Sequence, residues 1–480
     1  MESLGFWNLI IIAFVTVILR QYIKGDREIK ELQNSKFMQH PLPQKILHFF
    51  QHPLIKLVLQ IALILIISRW LIYTGWVAYR LTQQGAPFWD FKQFYVVSHI
   101  ILEKMNPYDL AVYENAQCQW VKECYQGSFI YFPNILPFIW FLGYLSLEKA
   151  STIWVAIHLV AIVLLIWGSL QFLESKSRLM RMISMVACAL IYGVVFDLRA
   201  GNISSIVAAL VVWCLVLAKR DRNVAAGILL GISTIKPTIS ALFFLYFLFK
   251  KRWKILGLCL ITSLFLISIG LGMTGSPLGE NIQLYQANYD WVFQHHPSGD
   301  PFIAPARIDL GVIGPRLLPD FPSIAKLLSR LLAITALLLV CQFLYKQQRT
   351  ELNSQQILLA EVTLIACLSL LIFYSQRHTT AILVLAVVFF INYLIREVRE
   401  EDFSRRTLFL WTIGGILLLS QSGILYHHLL EPLEVPWKKG GIPYLTRVTI
   451  GTLPNYLLFG LLVVIWFLAT RHLLLKRRSE

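Results

Sequence analysis

Apolar runs of about twenty residues recur along the whole chain, separated by short segments rich in Lys and Arg. A helix of that length matches the hydrocarbon thickness of a bilayer. The runs at 5–22, 56–78, 150–173, 183–198, 200–218, 255–274, 323–345, 355–374, 380–395, 407–426 and 453–471 predict eleven spanning helices. A β-barrel would alternate apolar and polar residues over about ten positions, which these runs do not do. The fold class expected is therefore an all-α polytopic membrane protein.

The basic clusters orient these helices, because Lys and Arg concentrate on the cytoplasmic side. Clusters at Arg20 to Lys45, Lys176 to Arg181, Lys219 to Arg222, Lys250 to Lys254, Lys346/Arg349, Arg396 to Arg406 and Arg471 to Arg478 all fall inside only if 223–249 does not cross. Lys236-Pro237 lies at the middle of that segment, where proline breaks a helix. Each limb has about thirteen residues, too few to span. The segment reads as a re-entrant hairpin of two half-helices, a form tolerated at depth only inside protein or beside water. Parity also keeps the proline-marked segment 131–150 at the exterior interface. Large exterior loops follow at 80–149, 275–322 and 427–452, and the C-terminus is cytoplasmic.

Composition agrees. Of 480 residues, 57% are hydrophobic and 15% charged, where a soluble chain carries roughly a quarter charged. The net charge of +16 sits mainly in the cytoplasmic clusters, so it reads as topology rather than nucleic-acid binding. The first run has neither a basic segment before it nor a small-residue cleavage site after it, and reads as a retained helix. Residues 1–55 form an extra N-terminal helix and basic linker, 56–399 a core, and 400–480 the C-terminal helices. Cys118 and Cys124 stand six apart in an exterior loop, where oxidation to a disulfide is a candidate outcome. The other five cysteines lie in apolar runs and read as packing residues.

Candidate chemistry concentrates on the exterior side. Asp90 opens a segment in which Phe91, Phe94, Tyr95, Ser98, Ile101, Leu102 and Met105 share one helical face. The opposite face is partly polar, which predicts an amphipathic helix on the membrane surface. Asp90 is either its N-cap or a carboxylate placed to take a proton from a hydroxyl. Arg199 and Asn202 interrupt an apolar turn, where Arg199 either pairs locally with Asp197 or is a boundary charge with a functional role. Arg377 and His378 occupy a short turn where two donors would suit a phosphate. Lys236 approaches from the hairpin, to meet a buried carboxylate or to snorkel. Arg307 lies in a loop whose aromatics suit a sugar cleft. The pairs His295-His296 and His427-His428 have poor geometry for joint ligation and no partner at metal spacing. No metal or cofactor is expected. No P-loop, Gly-rich dinucleotide loop or zinc-protease motif is present.

Four stretches carry a resemblance: "DFKQFYVVSHIILEKMNPYD", "FIYFPNILPFIW", "RAGNISSIVAALVVWCLVLAKRDRNVAAGILLGISTIKPTISALFFL" and "SQRHTTAILVL". Together they resemble the GT-C membrane glycosyltransferases, and within them glycosyltransferase family 87, the polyprenol-phosphate-mannose-dependent group. The chain departs from that pattern at Asn134, at Ala200-Gly201 before Asn202, in the absence of a tryptophan from the late turn, and in its extra N-terminal helix. The resemblance implies an inverting transferase that moves a sugar, expected to be mannose, from a polyprenyl-phosphate donor to a lipid or glycan acceptor. It implies an active site on the exterior face of a bacterial plasma membrane. Carried over, Asp90 is the general base and Arg377 and His378 hold the donor phosphate. Tyr95, Arg199, Asn202, Lys236 and Arg307 are candidate cavity residues. The competing readings are a lipid or polysaccharide transporter, which should show paired broken helices, and a non-catalytic membrane assembly protein.

Overall fold

The computed structural model describes residues 89–122, 127–175, 178–295, 299, 307–348, 355–399, 413–415, 417 and 455–470. The expected helices at 5–22 and 56–78, the linker to residue 55, most of 400–480, and Cys124, His296, His427 and His428 lie outside the described residues.

Every regular element described is helical. In order they are α1 (Trp89–Leu102), α2 (Leu110–Val121), α3 (Leu147–Leu170), α4 (Arg178–Ala189), α5 (Tyr192–Ala200), α6 (Ser204–Lys219), α7 (Asn223–Ser233), α8 (Pro237–Phe249), α9 (Trp253–Met273), α10 (Leu278–His295), α11 (Ile313–Leu317), α12 (Pro322–Gln348), α13 (Gln355–Ile372) and α14 (Val384–Arg399). Short helical turns occupy Pro133–Tyr144, Leu310–Val312 and Arg377–Leu383. Among the described residues α3, α9 and α12 are long and apolar enough to cross a membrane, and shorter apolar helices accompany them.

Two expectations change. The run 183–198 is not one helix, because the chain breaks between α4 and α5. Nor does α1 lie on a surface. Phe91, Phe94, Tyr95, Val96, Val97, Ser98, His99, Ile100 and Ile101 are all buried within the protein. A helix apolar on most sides is enclosed rather than laid against an interface. The partly polar face of α1 carries Val96, Val97 and Ile100 beside Lys92, Gln93, His99 and Glu103, and those apolar residues are covered as well. The segment around 131–150 is a chain of short turns, with Ser146 capping α3 through its hydroxyl.

The middle of the bundle has a readable direction. α3 and α6 run side by side in the same sense: Trp154 donates to the Gly201 carbonyl near their starts, and Arg220 bonds Gln171 just beyond their ends. α7 then reverses. It runs parallel to α9: a Cβ on Gly227 would lie 2.8 Å from the Ile255 carbonyl, and one on Gly231 2.8 Å from the Cys259 carbonyl. Asp221 before α7 and Arg252 before α9 pair at 3.0 Å. The chain therefore begins and ends 223–249 at one end of the bundle, with α8 returning beside α13. The tip, Thr234 to Lys236, lies about 16 Å along α7, packed inside protein. Tyr246 and Lys250 at the foot of α8 both donate to the buried Glu361 of α13.

Candidate functional site

The site begins with the α5–α6 corner. α5 ends at Gly201, whose φ of 67° suits a residue without a Cβ. The chain turns there, and Asn202 emerges between the two helices. The carboxylate of Asp197, in the last turns of α5, accepts from the backbone N–H groups of Ser204 (3.1 Å) and Ser205 (2.7 Å). It thus satisfies the free donors at the start of α6. His158 of α3 faces it at 3.7 Å. Asp197 was expected to serve as a local partner for Arg199; its carboxylate instead faces the start of α6.

Asn202 is the joint of the site. Its Nδ2 donates to Asp90 Oδ2 at 2.9 Å and to the Tyr131 hydroxyl at 2.7 Å. Its Oδ1 accepts from Lys236 Nζ at 2.6 Å and from the Ser204 hydroxyl at 2.9 Å. An amide presents a donor and an acceptor side by side, so one side chain binds a carboxylate and an ammonium together. Lys236 also donates to Ser204 Oγ at 2.7 Å. Pro237 follows at the first position of α8, so the break that ends α7 places Lys236 at the tip of the hairpin.

Asp90 is half-buried in the first turn of α1, where the helix dipole favours an anion. Burial raises its carboxyl above the ordinary value, while the Asn202 hydrogen bond and the Lys236 charge pull it down. Tyr131 is set by an edge contact with Phe94 at 4.8 Å, one turn along α1 from Asp90. Asp90, Tyr131, Asn202, Ser204 and Lys236 therefore meet, drawn from four separate parts of the chain.

Arg377 and His378 are buried in the turn Arg377–Leu383. That turn packs tightly on α5: a Cβ on Gly193 would lie 2.4 Å from the Ala381 nitrogen. The His378 ring lies parallel to Phe196 at 6.4 Å, and the charge of Lys236 reaches it. The same ammonium also acts on Asp90 and Asp197. The turn is anchored from the other side by Arg307. This guanidinium binds Asp309 through two nitrogens (3.0 and 2.8 Å) and the Gly299 carbonyl at 2.7 Å. It also lies over Phe293 and Tyr374. Arg307 pairs its backbone with Gln376, so it acts as a clamp on the turn rather than as a cation open to a cavity.

Tyr95, Arg199 and Cys118 complete the expected set. Tyr95 donates to the Leu145 carbonyl at 3.0 Å and packs edge-on against His99. Arg199 is half-buried in the last turn of α5. Cys118 is disulfide-bonded. Sequence reasoning did not single out Tyr131, Ser204 or His158. The signal available for Ser204 was Asn202-Ile-Ser-Ser at a helix start, a run of side chains that hydrogen-bond backbone locally.

A bundle of apolar helices holding a carboxylate, an amide and an ammonium in contact defines an integral membrane protein with a charged site built into it. Residues 129–395, more than half of the chain, match the model of glycosyltransferase family 87, and the chain belongs to that family. It is a membrane glycosyltransferase. The matched range holds Tyr131, Asn202, Lys236, Arg377 and His378, while Asp90 precedes it. No curated protein and no solved structure matches the chain.

Proposed function

We propose that the chain transfers a sugar, mannose by the family resemblance, from a polyprenyl-phosphate donor to a hydroxyl of a lipid or glycan acceptor, with Asp90 as general base. The observation that carries this reading is the half-buried Asp90 carboxylate held by Asn202 beside Lys236, in a chain of this family. Asp90 takes the acceptor proton as the hydroxyl oxygen bonds to the anomeric carbon. The bond from that carbon to the phosphate oxygen breaks on the opposite side, so the configuration inverts. The electron pair leaves on the polyprenyl phosphate, a good leaving group that Arg377 and His378 stabilise.

The lipid tail has a place in this scheme. A groove of about 540 Å³ runs between α3, α6 and α7 and is lined by Ile157, Leu164, Trp167, Ile206, Trp213 and Leu229. Its lining is almost wholly apolar, and Ile157 and Ile206 adjoin His158 and Ser205 behind the site. The shared end of 223–249 supports its reading as a re-entrant hairpin from the cytoplasm. Lys219, Arg220, Arg222 and Lys250 to Lys254 gather at that end, which leaves Asp90 toward the exterior face of the plasma membrane.

The test is sugar transfer in reconstituted vesicles from polyprenyl-phosphate mannose to a mixed lipid and glycan acceptor fraction. Wild type is expected to transfer, and Asp90→Asn to fall by about 10²–10⁴-fold, the usual contribution of a positioned base. Equal rates for the two would remove Asp90 from the mechanism. No transfer by wild type from any polyprenyl-phosphate sugar would sink the donor assignment.

A further inference from the structure

Asp197 takes no part in the step above, yet it is fully buried directly behind it. Its oxygens hold the backbone N–H groups of Ser204 and Ser205. Ser204 in turn supplies the hydroxyl that accepts from Lys236 and donates to Asn202. Among the described residues, the groups that reach this corner include five from neighbouring elements. They are His158 from α3, Lys236 from the hairpin tip, Asp90 from α1, Tyr131 from the turns before α3, and His378 from the turn stacked on Phe196. Lys236 bonds directly to Asn202 and Ser204, and its charge acts on both the fully buried Asp197 and the half-buried Asp90.

That sharing has a chemical consequence. An ammonium devoted to Asp90 alone would stabilise its ionised form and make it a poor proton acceptor. A second carboxylate on the same ammonium repels Asp90 and draws part of the cation's field away. We propose that Asp197 is a positioning residue that seats Ser204 and Lys236 and, by competing for the one ammonium, preserves the basicity of Asp90. This rests on the reading of Asp90 as the base. Asp197 itself touches no substrate.

The experiment reads Asp90 directly, without relying on transfer. A hydrophobic carbodiimide reacts with protonated carboxyl groups, so its modification of Asp90 can be followed by peptide mass spectrometry against pH, using the full chain in membranes. Asp197→Asn is expected to lower the labelling midpoint of Asp90 by about one pH unit, the scale of one nearby charge at an effective dielectric near 20. Lys236→Gln is expected to raise it. Asp197→Glu, which keeps the charge, is expected to return the midpoint to the wild-type value. Unchanged midpoints in Asp197→Asn and Lys236→Gln overturn the proposal, as does a wild-type Asp90 that labels at no pH. Should Asp197→Asn fail to accumulate, Lys236→Gln decides alone, and no upward shift overturns the proposal. Sugar transfer is measured separately on the same membranes. Failure of wild type to transfer counts against the assigned reaction, and an unmoved midpoint counts against the role of Asp197.

Discussion

Asn202 separates two charges that would otherwise meet. Its amide bonds Asp90 at 2.9 Å on one side and Lys236 at 2.6 Å on the other. With the width of an amide between those contacts, the carboxylate and ammonium stand about 6–7 Å apart. At an effective dielectric of 20 their attraction is then about 2.5 kcal/mol, against about 5.5 kcal/mol for a direct pair near 3 Å. Asn202→Ala removes the spacer and lets the pair close. The difference of about 3 kcal/mol would correspond to about two pH units, and losing the Asn202 hydrogen bond, which itself holds the Asp90 carboxyl down, offsets about one of them. About one unit is expected to survive. The acid limb of the variant's pH–rate profile should therefore move about one unit lower, with a reduced plateau because the base is weaker. The assay is initial rate of sugar transfer against pH for wild type and Asn202→Ala. An acid limb that stays put, or moves upward, would refute the account of Asn202 as a spacer.

Other perturbations test other parts of the structure. Leu210 also lines the groove between α3 and α6, and Leu210→Trp, which narrows it, is expected to raise KM for a long-chain polyprenyl donor several-fold and to leave a short-chain donor unaffected; competition between the two donors measures it. Lys250→Met removes the cation from the Glu361 carboxylate, which is only 1% exposed and keeps only the Tyr246 hydroxyl among its described partners, and is expected to cost about 3 kcal/mol, read as a lower unfolding temperature in detergent. The double change to Lys250→Met and Glu361→Leu should recover much of that loss. Gly193→Ala pushes a methyl group against the backbone of the Arg377–Leu383 turn, and transfer is expected to fall more than stability does, measured by kcat and thermal unfolding on one preparation.

Some of this was legible before any coordinates. The hairpin could be read because its signals are local: a Lys-Pro in the middle and basic residues at both ends. Asp90 read as either a helix cap or a base from its position, and the family resemblance singled it out as the base. The surroundings of Asp90 were not legible. Asn202 reaches it across 112 residues and Lys236 meets Asn202 across 34, and no periodicity encodes such contacts. Arg307 was read as a cavity cation because the sequence places it among aromatics. One of those aromatics, Phe293, together with Asp309 and with Tyr374 from just past α13, turns out to hold its guanidinium in place. The burial of α1 was misread because helical spacing reports a stripe. It does not report that the other side is also covered when it carries Val and Ile.

The hairpin bears on how the protein is made. Neither α7 nor α8 is long enough to be held in a bilayer on its own hydropathy, and an ammonium at their junction is costly in lipid until it is satisfied. The partners of Lys236 all precede it in the chain: Asp90, Asp197, Asn202 and Ser204 are synthesised first. Glu361, which takes Lys250 at the foot of the same hairpin, is synthesised about a hundred residues later. The contacts of the tip can therefore form before those of the foot, which wait for α13, and the Arg377–Leu383 turn joins the site last, in the order the sequence is written.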